Sequence, residues 1–109
     1  MHTSVAMTDI GRRRKVNQDY VYASDRPVGN LPNLYIVADG MGGHRAGDLA
    51  SSYAVEKVVE AVERCADVRP ALILNKAIRY ANYSLYQMAM ENEASQGMGT
   101  TLVALSIDG

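Results

Sequence analysis

The apolar residues of this chain change period twice, and each change predicts a change of element. In "SVAMTD" (4–9), Val5 and Met7 alternate with smaller and polar neighbours, the period of two expected of a strand. "YVYA" (20–23) is short, aromatic and β-branched, which suits a pleated surface. "DRPVGNLPN" (25–33) holds two prolines and a glycine among polar residues and reads as a connecting loop. "NLYIVAD" (33–39) is a continuous apolar run, which predicts a strand buried on both faces and ending at Asp39. From Ala46 the spacing becomes three and four. Ala46, Leu49, Ala50, Tyr53, Ala54, Lys57, Val58, Ala61, Val62 and Cys65 mark one face of an amphipathic helix. Asp67 and Pro70 interrupt it and announce a second helix, with Asp67 as candidate cap and Pro70 in the first turn. Ile73, Ala77, Tyr80, Ala81, Ser84, Leu85 and Met88 mark its apolar face. "TTLVALSI" (100–107) returns to strand composition, and "DG" (108–109) has the form of the first half of a hairpin turn.

Strands followed by two antiparallel helices predict an α+β layout with segregated layers. Four strands and two helices also leave sheet edges unpaired. Residues 1–109 are therefore expected to be the N-terminal portion of a single longer domain. Taken alone, such a portion should expose apolar sheet faces and tend to self-associate.

Composition narrows the setting. The chain has 109 residues, 48% of them hydrophobic and 21% charged, which are ordinary values for a globular protein. A net charge of −1 gives no reason to expect nucleic acid or an anionic membrane as the main partner. Cys65 is the single cysteine and cannot form an internal disulfide, which suits a reducing cytoplasm. "MHTSVAMTDIGRRRK" (1–15) has no secretory apolar core, and no apolar run approaches the ~20 residues of a membrane helix.

The candidate chemistry lies where the strand meets the helix, in "LYIVADGMGGHRAG" (34–47). Strand, glycine-rich loop, helix is the layout of a phosphate cradle, but residue identity excludes both common forms. Arg45 stands where G-x-G-x-x-G needs its third glycine. Asp48 stands where G-x-x-x-x-G-K-[ST] needs its lysine, and an acid there repels phosphate. A plain strand-to-helix turn with Asp39 as a cap explains one or two glycines but not four. It also leaves a carboxylate at the end of a buried strand, which is costly without a partner or a metal. Asp39 with the carbonyl of Gly40 offers hard-cation ligands in compact form.

"VADGMGGHRAGDLAS", together with "TDIGRRRKVNQD" (8–19) and "GMGTTLVAL" (97–105), resembles the N-terminal half of bacterial metal-dependent serine/threonine phosphatases of the PPM, or protein phosphatase 2C, family. The resemblance covers nearly the whole chain in the family's order and spacing. It implies part of a sandwich of two antiparallel sheets, each flanked by an antiparallel helix pair. The implied activity is hydrolysis of phosphoserine and phosphothreonine by water held between two divalent cations, Mn²⁺ or Mg²⁺. Such chemistry needs oxygen ligands, so the absence of a Cys/His cluster is expected.

Carried over by position, Asp39 matches the aspartate that bridges the two metals, and Gly40 the residue whose backbone carbonyl completes one metal site. Asp19 matches the acid that touches the cluster directly or through water. Arg14 matches the arginine that clamps the substrate phosphate, a task suited to its planar fork. Arg12, Arg13 and Lys15 read as a solvated basic turn. Gln18 stands where the family often has glutamate and can hydrogen-bond a metal-held water without adding charge. Met41 stands where eukaryotic members carry a histidine, so that role is not transferred. His44, three residues later, is an accessory candidate at most.

The family's later aspartate motifs do not occur in these 109 residues, so the isolated chain is expected to be inactive and the complete domain active. The implied partners are phosphorylated proteins, the substrates of a cognate serine/threonine kinase. The alternative is a truncated, non-catalytic module that binds phosphoproteins or regulates a partner.

Overall fold

A computed structural model of the chain describes residues 2–10, 18–41, 44–91 and 99–108. Strands β1 (His2–Ile10), β2 (Gln18–Ser24) and β3 (Leu34–Met41) precede helices α1 (His44–Arg64) and α2 (Pro70–Glu91), and β4 (Gly99–Asp108) follows. The sheet order is β1-β4-β3-β2, and every neighbouring pair is antiparallel. The late strand β4 thus inserts between the first and third, leaving β1 and β2 at the edges. Both helices lie on one face of the sheet: α1 packs on β2, β3 and β4, and α2 on β1 and β4. This is the expected α+β layering. Among the described residues no helix is long and apolar enough to cross a membrane.

The continuous apolar run of β3 is buried on one face, not two. Leu34, Ile36 and Ala38 are fully buried beneath the helices, whereas Val37 is 46% exposed and Tyr35 half-buried on the other side. A strand alternates faces residue by residue, and only the helix layer is present to cover it. Val21 (66% exposed), Val37 and Val103 form one register row on that open face, and Ala23, Tyr35 and Leu105 the next. The expected exposed apolar sheet face is therefore observed.

The core joins Leu34, Ile36, Leu102 and Ala104 of the sheet to Val58 and Val62 of α1 and Ile73 and Leu74 of α2. The buried stripe of α1 is rotated from the expected one. Ser51 and Val55 are buried and Leu49 is 41% exposed, because α1 packs against the side of α2 as well as on the sheet. On α2, Ile73, Ala77, Ala81 and Leu85 are buried as expected, with Leu74 and Ile78 in addition. Tyr80 lies at the boundary instead, and its hydroxyl donates to Glu60 Oε1 at 3.2 Å.

Pro70 is the first residue of α2, where its missing N–H costs nothing. Asp67 stands too far upstream to be the cap residue proper. Its Oδ1 accepts from the Arg69 backbone N–H at 2.9 Å and from Arg69 Nε at 3.2 Å. It fixes the turn that leads into the helix.

The 25–33 connection contributes to the core. Val28 and Leu31 are buried and exchange two main-chain hydrogen bonds of 3.0 Å. Gly29 at the tip has φ +55°, and a Cβ there would stand 2.3 Å from the Val62 carbonyl oxygen. Next to it, Asn30 Nδ2 donates to the carbonyls of Cys65 and Asp67, satisfying backbone acceptors just past the end of α1.

Candidate metal and phosphate site

β3 runs on through Asp39 and Gly40 to Met41, so Asp39 lies within the ladder and does not terminate the strand. The extension has a physical cause. β2 and β4 flank β3, and the main-chain groups of Asp39 and Gly40 pair on both sides. With α1 beginning only at His44, Asp39 is not a helix cap either.

Asp39 stands directly opposite Asp19 on β2 and Thr101 on β4. Directly opposed positions of an antiparallel pair share a face, with Cβ atoms about 4.5–5.5 Å apart. Asp39 is half-buried, and its Oδ1 atom is removed from solvent. Two carboxylate positions so close destabilise one another unless a cation or proton stands between them. One step along, Gly40 is opposite Gln18 and Thr100. The donors available here are carboxylate, amide and main-chain oxygens, the set that hard divalent cations take.

The ladder also places a residue that the motif reading passed over. Asp9 on β1 is opposite Thr101, so Asp9, Thr101, Asp39 and Asp19 occupy one row across all four strands. No spacing along the chain signals this, because the row depends on β4 entering between β1 and β3. Among the described residues, no three potential metal-ligating side chains converge. His44 opens α1 and has no place in the row. Arg14 lies outside the described residues, as do Gly42, Gly43, Gly97 and Met98.

The sequence profile described as protein phosphatase 2C matches residues 10–109. The chain belongs to the protein phosphatase 2C family. Among similar proteins, this family member is 38% identical over 106 residues to the protein phosphatase PhpP of Streptococcus pneumoniae, covering 93% of this chain and 41% of that one. It is 41% identical over 101 residues to the serine/threonine phosphatase stp of Listeria monocytogenes, covering 89% and 39%. Its backbone matches the crystal structure of the catalytic domain of the serine/threonine phosphatase PstP in complex with two manganese ions. That match has a TM-score of 0.68 and 30% identity, over 98% of this chain and 44% of that one. The 2C-family chain thus spans about two-fifths of the length of the curated relatives it matches.

Proposed function

We propose that this chain is the N-terminal portion of a metal-dependent protein phosphatase acting on phosphoserine and phosphothreonine. The observation that carries the reading is the opposition of Asp19 and Asp39, one step from Gly40, in a chain of the 2C family. The cation is Mn²⁺ or Mg²⁺, two ions in the complete domain, and the manganese complex of PstP supports that choice. Asp39 would bridge the ions, the Gly40 carbonyl would complete one ligand set, and Asp19 would join directly or through water. When bound, two such cations lower the pKa of a water, orient it for in-line attack and offset charge growing on the phosphoryl oxygens.

The chain's own residues divide the remaining work. β3 is held from both sides, so the Asp39 carboxylate costs little reorganisation on binding a cation. Gln18 supplies an amide beside Gly40 for hydrogen bonding to a water of the site. Arg14 is assigned to the substrate phosphate, whose oxygens fit its planar fork. His44 has at most an accessory part. The open face around Val21 and Val37 is the surface on which the second sheet of the sandwich would pack. The partners are phosphoproteins made by a cognate serine/threonine kinase in the cytoplasm.

The test is Mn²⁺-dependent hydrolysis of a phosphothreonine peptide by the whole protein, with Asp39→Asn beside it. The expected result is turnover that falls by about a hundredfold or more in the variant, the upper range for disturbing a metal site. Phosphopeptide binding without any turnover in the metal-loaded protein would replace this reading with that of a non-catalytic binding module.

A further inference from the structure

Among the described residues β2 is an edge of the sheet. From Tyr20 to Ser24 it carries no charge and no proline, and its register with β3 runs without a bulge. These are the devices that ordinarily keep an edge from pairing with another chain. Beside this edge a groove of about 470 Å³ lies between β2 and α1. Its apolar lining is Tyr20, Tyr22, Val55 and Val59.

Its charged lining is wholly acidic: Glu56, Glu60 and Glu63, with no basic residue. Glu60 is already engaged by Lys57 at 3.2 Å and Arg64 at 3.1 Å. Glu56 and Glu63 are exposed, and among the described residues neither is in an ion pair. At 1.5 Å rise per residue Glu56 and Glu63 stand about 10.5 Å apart along α1, with Glu60 between them. Same-face residues of an extended chain recur about every 6.7 Å, so Glu56 and Glu63 fall between one and two such steps, an offset that long flexible lysine or arginine side chains absorb. Tyr20 and Tyr22 alternate with Asp19 and Val21 along β2, so the groove is on the sheet face opposite the Asp19–Asp39 pair.

We propose that the β2 edge and the carboxylates of α1 form a docking groove for an extended, basic segment of a partner protein. The segment would add a strand to β2, bury small apolar side chains against Tyr20 and Tyr22, and set lysine or arginine against Glu56 and Glu63. An unguarded edge asks for main-chain partners, which a helical ligand cannot supply. The acidic wall repels phosphate and acidic peptides, so the occupant is cationic.

The test titrates the whole metal-loaded protein with a fluorescent, end-blocked peptide of alternating lysine and valine, read by anisotropy. Binding should be saturable and should weaken from low to physiological salt. The double variant Glu56→Lys/Glu63→Lys should weaken it by about tenfold or more, and Glu56→Gln/Glu63→Gln by less. Hydrolysis of a small phosphate ester should be unchanged in both variants, which shows that they are folded. Methylating alternate peptide amides should also weaken binding by about tenfold, because it removes the donors that pair with the edge. Three results would each overturn the proposal: no saturable binding up to millimolar peptide, equal affinity in the charge-reversed variant, or equal affinity of the methylated peptide.

Discussion

Asp19 and Asp39 occupy directly opposed positions on neighbouring antiparallel strands, twenty residues apart in sequence. Main-chain pairing of β3 on both sides holds this opposition in place. A sheet built for stability alone would not set two acids face to face on adjacent strands. On the proposed reading this pair takes a cation, and that can be measured directly.

Replacing Asp39 by Asn should separate stability from metal binding. Without divalent metal, the stability of the whole protein should shift by no more than about 1 kcal/mol, the usual scale of a cross-strand pair. With Mn²⁺, the wild-type protein should gain melting temperature as ligand linkage requires, and the variant should gain little. Calorimetry with and without the ion reads both. An undiminished Mn²⁺ shift in the variant would remove Asp39 from the site.

Gly29→Ala should destabilise the fold far from the site. The residue has φ +55°, and the new Cβ would meet the Val62 carbonyl oxygen at 2.3 Å. The turn must move off the end of α1, loosening the Asn30 bonds to Cys65 and Asp67. A cost of roughly 1–3 kcal/mol is expected, visible as a lower urea midpoint with unchanged slope. An unchanged midpoint would show that this turn yields without cost.

Asn33→Ala should loosen one end of the sheet. Two residues beyond the last main-chain pair of β3 and β4, Tyr35 with Leu105, the Asn33 side chain takes over the ladder. Its Nδ2 donates to the Ile107 carbonyl at 2.7 Å, and its Oδ1 accepts from the Ile107 N–H at 2.8 Å. Ser106 Oγ donates to the same oxygen at 3.3 Å. Loss of this set should cost about 1–3 kcal/mol and speed amide exchange at Ile107. Exchange at Ile107 as slow as before would show that the main chain holds that end unaided.

Acid should weaken the entry to α2. The side-chain and main-chain hydrogen bonds from Arg69 hold the Asp67 carboxyl well below the usual carboxylate range, with Lys76 adding to the effect. Because the folded pKa is depressed, this stabilisation is complete above the unfolded value near ~4. It is lost as pH falls through the folded value. Asp67→Asn should therefore lower the urea midpoint most at neutral pH and flatten its decline below about pH 4. An identical acid slope in the variant would mean that other carboxylates govern it.

Local pattern alone determined the order and type of all six elements. Alternation around Val5, the apolar run from Leu34, the three-four spacing of both helices and Pro70 at a helix start are short-range signals, and short-range physics obeys them. A charge beside an apolar run is likewise a short-range signal, and it is what singles out Asp39-Gly40 as the proposed site. The tertiary structure decided what depends on neighbours distant in sequence. β4 enters between β1 and β3, and only then do Asp9, Thr101, Asp39 and Asp19 fall into one row. The helix layer covers one face of β3, so Leu34, Ile36 and Ala38 are buried while Val37 in the same run is exposed. Gly29 and Asn30 gain their roles at the end of α1 in the same way, from a segment more than thirty residues away. A run of side chains states which residues avoid water, but which face meets a partner is a property of the packed layers.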